Sequence, residues 1–463
     1  MRKTVSLYTI FVLVSLSWFI LAVNPCVADP DLPTTWYFAE GTTREGFFEY
    51  ISMQNPGSEE TEVNITYMTN LGEMGPYTHI IPPVSRGTVL VNVYMDEGLD
   101  VSVRVESERG IVAERPIYFT YKDKWKGGHV VLGVNSTNEE WYFAEGTTRP
   151  GFEEWLCIQN PQDDSQRVTV TYYTTSAVEV KSYDIAPRHR FTIDVNTEVA
   201  ELWLDEPYQD VSLKVEGAEG IIAERPMYFQ YEDDWEGGHI VLGETDPGRN
   251  WYLAEGYCQW NFDTWLCFLN PGLETAQVII EYRRSDGYTN SQTLNVPGYS
   301  RQTVDVNAVM GQGEFSFQVT SDQDIVVERP IYFDYNYVWE GGHDNMAVAQ
   351  ATDEWYLAEG ATWHGIETYL CILNPLDVSQ NVVVEYLMEN GGYEQVEFTI
   401  PPESRYTRDV NADVGADHNV SFRIKAFKNT SPIEPGEIVV ERPMYFLYGG
   451  SLPGGHVASG YGE

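Results

Sequence analysis

Hydrophobic and polar residues alternate with a period of two along much of the chain, with Val, Ile, Tyr, Phe and Thr at the recurring positions. Val101, Val103 and Val105 alternate with Ser102, Arg104 and Glu106, the pattern of a strand with one buried face. In the first stretch of about one hundred residues after the N-terminus, the pattern predicts eight strands, at 36–40, 47–54, 62–69, 77–81, 88–92, 101–106, 111–121 and 129–132. Gly, Pro, Asn and Asp fill the gaps between them. No stretch shows a convincing amphipathic helix. Short strands with turn residues roughly every 8–12 positions predict an all-β fold of the immunoglobulin-like sandwich type.

The pattern then repeats. Trp36-Tyr37-Phe38-Ala39-Glu40-Gly41 recurs from Trp141, Trp251 and Trp355, at spacings of 105, 110 and 104 residues, with Leu replacing Phe in the last two copies. Asn-Pro recurs at Asn55, Asn160, Asn270 and Asn374, and Val-Asn at Val91, Val195, Val306 and Val410. Glu-Arg-Pro followed by Ile or Met, Tyr and Phe begins at Glu114, Glu224, Glu328 and Glu441. Gly-Gly-His closes each copy at His129, His239, His343 and His456. A period this long suits a whole domain, whereas a propeller blade takes roughly 40–50 residues. Four tandem sandwiches are therefore expected at 34–138, 139–248, 249–352 and 353–463. The short connection at 134–140 predicts a semi-rigid rod of end-to-end domains.

These ordered motifs, spanning Trp36 to His456, resemble an uncharacterised family of tandem repeats in secreted and cell-surface proteins of actinobacteria and related prokaryotes. The resemblance implies β-sandwich repeats and an extracellular or envelope location, and it implies no catalytic activity. Repeat 3 departs from the pattern, with Tyr257-Cys258-Gln259-Trp260 where repeat 1 has Thr42-Thr43-Arg44-Glu45. Repeat 4 lacks the Trp that precedes Gly-Gly-His at Trp125, Trp235 and Trp339.

Charge narrows the partners. The chain has 28 Lys plus Arg against 70 Asp plus Glu, a formal charge of −42, which repels nucleic acid and anionic membranes. Its 63 aromatic residues separate it from disordered acidic chains. At the N-terminus, Arg2-Lys3, the apolar run 8–23 and Cys26-Val27-Ala28 read as a signal peptide cleaved after Ala28. The chain is then a secreted or surface-held protein, with no integral membrane segment after cleavage and with self-association open to it.

Candidate sites each carry two readings. Alternation puts Arg115, Arg225, Arg329 and Arg442 in apolar rows, where an unpaired charge is costly. Glu40, Glu145, Glu255 and Glu359 recur once per repeat and are the expected partners, through an ion pair or a backbone-carbonyl clamp that fixes the sandwich. The competing reading is a repeated pocket for a sugar or carboxylate. The Pro after each Arg predicts an edge strand or a bulge. The Gly-Gly-His histidines suit a turn with the ring on an aromatic better than metal ligation, because each repeat has one and no neighbouring ligand. Cys157, Cys267 and Cys371 read as small core residues. Export permits a disulfide between Cys258 and Cys267. Trp125, Trp235 and Trp339 either fill seams between repeats or stack on sugars. No cofactor is called for, although acidic loops such as Asp205-Glu206 with Asp210 are candidates for Ca²⁺ at domain junctions. Asn64, Asn135, Asn419 and Asn429 each begin a glycosylation sequon.

No unit contains a nucleophile, phosphate-loop or metal-protease motif. The expected function is a non-enzymatic scaffold or adhesion rod whose partners are cell-envelope components or extracellular glycans. The alternative is a polysaccharide-binding module array.

Overall fold

The computed structural model describes residues 31–463 apart from 233 and 390. The signal peptide expected at 1–28 lies outside the described residues. No helix among them is long and apolar enough to cross a membrane.

Repeat 1 contains β1 (Thr35–Phe38), β2 (Phe47–Asn55), β3 (Thr61–Thr69), β4 (Gly72–Ile81), β5 (Ser85–Leu90), β6 (Val101–Ser107), β7 (Val112–Tyr121) and β8 (Trp125–Leu132). They form two antiparallel sheets, ordered β1-β6-β3-β4 and β5-β2-β7-β8. Val101, Val103 and Val105 are fully buried between the sheets with Trp36, Phe38, Ile51, Ile65 and Tyr67. The all-β sandwich predicted from the alternation is the observed fold.

The recurring motifs are the fastenings of each sandwich. The Trp36 indole donates to Ile111 O at 2.9 Å, and Trp141 and Trp355 do the same to Ile221 O and Ile438 O. Asn55 Nδ2 donates to the carbonyls of Glu59 and Pro82, and its Oδ1 accepts from Gly57 N, so one side chain pins two loops. Asn160, Asn270 and Asn374 repeat this arrangement. Asp-Val-Asn starts a short helix that the strand pattern concealed: α1 (Val195–Leu202), α2 (Val306–Met310) and α3 (Val410–Val414). Asp194, Asp305 and Asp409 cap their first turns by accepting from Thr197, Ala308 and Ala412 N. Leu90 holds that place in repeat 1 and offers no cap, so only a 3₁₀ turn forms at Val91–Val93. The following Asn ties the turn to the sheet: Asn92 accepts from Glu49 N and donates to Phe47 O.

The four sandwiches do not run in file. β8 packs beside its counterparts Trp235–Leu242 and Leu452–Ser459, and Trp339–His343 packs beside the same two. The fourth repeat thus meets the first, and the chain closes into a ring with these strands innermost. This corrects the expected rod. The short connections turn each sandwich onto its predecessor instead of extending it.

The Gly-Gly pairs make the closure sterically feasible. They sit within the innermost strands, which corrects the expectation of a turn there. A Cβ on Gly237 would lie 3.2 Å from Gly341 Cα, and one on Gly454 would lie 3.1 Å from Gly127 Cα. A Cβ on Gly238 would lie 2.8 Å from Phe119 Cζ of the preceding repeat and 2.9 Å from Met227 O. The Pro of Glu-Arg-Pro is also not at an edge, because β7 lies between β2 and β8. Its missing donor falls where the β2 ladder skips from Glu49↔Ile117 to Ser52↔Glu114. Replacing Gly238 with Val is expected to overpack this seam and cost about 1–3 kcal/mol. Chemical denaturation would register the loss, and an unchanged midpoint would contradict the packing account.

Candidate functional site at the repeat junctions

Alternation on β7 sends Arg115 to one face of its sheet and Glu114 to the other. The ring brings those faces of successive repeats together. Arg115 Nη1 donates to Glu224 Oε2 of repeat 2 at 2.8 Å and to Glu40 O at 2.6 Å. Glu224 Oε2 also accepts from Glu40 N at 2.6 Å. Arg225 meets Glu328, Arg329 meets Glu441, and Arg442 meets Glu114, at 2.9, 2.8 and 2.8 Å. All eight side chains are fully buried.

The expected pairing within each repeat is therefore corrected at three of four positions. Glu40, Glu255 and Glu359 hold their Arg by the backbone carbonyl, as the clamp reading had it, while the carboxylate partner comes from the next repeat. Only Glu145 also sets its carboxylate against its own Arg225, at 3.1 Å.

The carboxylates of Glu40, Glu255 and Glu359 serve a second arginine that sequence reasoning missed. Arg405 Nη2 bonds Glu255 at 2.7 Å, and Arg86 Nη2 bonds Glu359 at 2.8 Å. Arg190 Nη2 lies 3.8 Å from Glu40. Arg301, the fourth arginine of the set, is buried at the junction of repeats 2 and 3 and meets Asp210 at 3.4 Å instead of Glu145. A signal was available, since an Arg follows Ser85, His189, Ser300 and Ser404 once per repeat.

Tyrosines stack across each seam. Tyr121 lies on Tyr228, Tyr231 on Tyr332, Tyr335 on Tyr445 and Tyr448 on Tyr118, with centroids 3.9, 4.0, 3.9 and 3.8 Å apart. Trp125, Trp235 and Trp339 extend these stacks from outside, on Tyr121, Tyr231 and Tyr335. Trp125 is buried and the other two are half-buried, so they fill seams.

Ring closure gathers the four Gly-Gly-His histidines, one from each repeat, in the buried centre. Neither ring nitrogen of any of them has a hydrogen-bond partner. Burial and the nearby Arg hold all four well below the ordinary imidazole range, hence neutral. Each packs near a Phe, as His129 does on Phe119 at 5.9 Å.

The junction of repeats 2 and 3 has an extra acid, Asp344, where the other repeats have Val130, Ile240 and Val457. Glu145, Glu328 and Asp344 lie close enough together for a metal-ligand set. However, all three carboxylates converge on Arg225 Nη2, which occupies the place a cation would take. Burial raises Glu145 to about 7 and its neighbour Glu154 to about 8.

Cys258 and Cys267 are both free, so the disulfide that export would permit is not formed. Cys258 pairs with Gly313 in a separate two-stranded ladder, and Cys267 faces Thr303. Cys157 and Cys371 are buried and free as well.

Clefts open outside the buried pairs. The one between repeats 3 and 4 has a volume of about 360 Å³, against about 240 Å³ between repeats 2 and 3. A third, largely aliphatic hollow of about 300 Å³ lies where the innermost strands end, lined by residues of all four repeats.

No protein-family model matches the chain, and no curated protein does. Among solved structures, Thermotoga maritima 1070 is similar at 15% identity over 22% of this chain and 93% of that one, with a TM-score of 0.21. The Anabaena sensory rhodopsin transducer is similar at 28% identity over 18% of this chain and 94% of that one, with a TM-score of 0.17. A tetra-tandem repeat from the extending region of a large adhesion protein aligns over 89% of this chain and 93% of that one, at 9% identity and a TM-score of 0.09.

Breaking one buried link is expected to cost about 3–5 kcal/mol. Arg115→Met and Glu224→Gln, singly and together, should show strong coupling in a double-mutant cycle although the residues belong to different repeats. Additive effects would contradict the link. The raised carboxyls set a pH dependence. The folded chain keeps protons on Glu145 and Glu154 that the unfolded chain releases near 4.5, so their contribution is lost as pH rises through about 7 and 8. The histidines, neutral in both states above about 6.5, do not oppose this loss. The melting temperature should fall between pH 6.5 and 8.5, and Glu154→Gln should reduce the fall. A variant that follows the parent curve would refute this assignment.

Proposed function

We propose that the protein is a non-enzymatic extracellular or cell-surface scaffold, in which four repeats form one ring that holds a cell-envelope component or an extracellular glycan. The observation that carries this reading is the use of the buried charged groups. The Arg and Glu of each Glu-Arg-Pro strand are paired across every junction, an arrangement that fixes architecture rather than moving protons. Adhesion by length gives way here to presentation, because a closed ring displays its junctions around a rigid frame. The N-terminal signal pattern supports export, and the acidic surface disfavours nucleic acid and anionic lipid as partners.

A second reading, binding of polysaccharide, is favoured by the cleft between repeats 3 and 4, where Tyr257, Tyr337 and Tyr369 line a space of about 360 Å³. Both readings are tested by a pull-down with residues 29–463 against envelope fractions and a panel of neutral polysaccharides, with and without Ca²⁺. Saturable retention on either class is expected. Retention on neither, or turnover of a glycan during the assay, would overturn the proposal.

A further inference from the structure

The four junctions differ at their outer rim. In repeat 1, Arg44 bridges Asp100 at 2.9 Å, and in repeat 2, Arg149 bridges Asp210 at 2.6 Å. In repeat 4 the same two places hold Trp363 and Asn419, joined by a hydrogen bond of 2.7 Å. Repeat 3 has Gln259 and Glu314 there, and no hydrogen bond joins them among the described residues. Glu314 turns instead to Arg405, at 3.0 Å, and remains about half exposed. The rim contact that each of the other repeats makes within itself is missing in repeat 3, and the cleft behind it, at about 360 Å³, is larger than the one of about 240 Å³ between repeats 2 and 3.

A second observation lies on the opposite wall. The turn between 331–335 and 339–343 needs two residues with left-handed backbone, and Asn336 and Tyr337 supply them at φ 54° and 56°. The place of Tyr337 is taken by Asp123 in repeat 1 and by Gly450 in repeat 4, residues that suit this conformation better than a tyrosine. Tyr337 is 69% exposed and lines the cleft together with Tyr257. An aromatic side chain at a costly backbone position, facing a cleft and packed against little, is accounted for by a ligand that it stacks on.

We infer that the cleft between repeats 3 and 4 is a single specialised pocket for a pyranose ring without an acid group, read by Tyr337 and Tyr257 as stacking surfaces. The side chains of Gln259 and Asn336 and the exposed carboxylate of Glu314 supply hydrogen-bonding groups for hydroxyls. The charge in the pocket excludes uronic acids, because Glu255 and Glu314 share one guanidinium, Arg405, and the rim arginine of repeats 1 and 2 is absent. This inference rests on the glycan reading above and narrows it from an array to one junction.

The test uses the full chain in titration calorimetry with three probes: a cello-oligosaccharide, a glucosamine oligomer and an oligogalacturonate. The first two should bind, and the third should bind at least ten-fold more weakly. Gln259→Arg, which sets an arginine opposite the Glu314 carboxylate as Arg44 and Arg149 stand opposite Asp100 and Asp210, and Tyr337→Gly, which relieves the backbone, should each weaken binding at least ten-fold without lowering the melting temperature. Unchanged binding by both variants would place the glycan site elsewhere and overturn this inference while sparing the glycan reading. Preferential binding of the oligogalacturonate would overturn the charge assignment. Failure of every sugar to bind the parent chain would overturn both.

Discussion

The structure depends on one contact repeated four times, a buried arginine of one repeat held by a buried glutamate of the next. Each Glu-Arg-Pro strand offers its Glu backward and its Arg forward. The interface is therefore head-to-tail, and a head-to-tail interface yields either an open filament or a closed ring. Closure at four leaves no buried Arg or Glu of this motif without a partner, because Arg442 returns to Glu114. A break at any seam would strand two ions in an apolar setting, and that penalty ties the four repeats into one cooperative body.

The same contact positions everything outside it. Backbone carbonyls of Glu40, Glu255 and Glu359 are held by the arginines, which frees their carboxylates for Arg190, Arg405 and Arg86. The stacked tyrosines then form the outer edge of each seam, and the clefts lie between them and the rim loops. The walls of the 3–4 cleft come from different repeats, with Tyr257 and Tyr337 from one and Tyr369 and Arg405 from the other. The cleft is a property of the ring, and an isolated repeat would not possess it.

Much of the fold was legible because alternation is a local signal. The strands predicted at 47–54, 62–69 and 101–106 lie within a residue or so of those observed. The importance of Arg115 was legible too, since an arginine in an apolar row must find a partner. The identity of that partner was not, because Glu224 is 109 residues away and belongs to another repeat. The sequence offers Glu40 as the natural mate, and only closure of the ring reveals that its carbonyl, not its carboxylate, does the holding. The glycines misled for a related reason. Gly-Gly reads as a turn locally, whereas here it lets two neighbouring backbones touch. The four histidines, one to a repeat, could not be seen as a group until the ring placed them around one centre.

Small-angle scattering of residues 29–463 tests the central claim most directly. A closed ring of this length should have a radius of gyration near that of a compact protein, about 22 Å. Four sandwiches in file would give roughly twice that value or more. A compact particle in which Arg115→Met opens the first seam and increases the radius is the result the ring account predicts. An extended particle in the parent chain would contradict it.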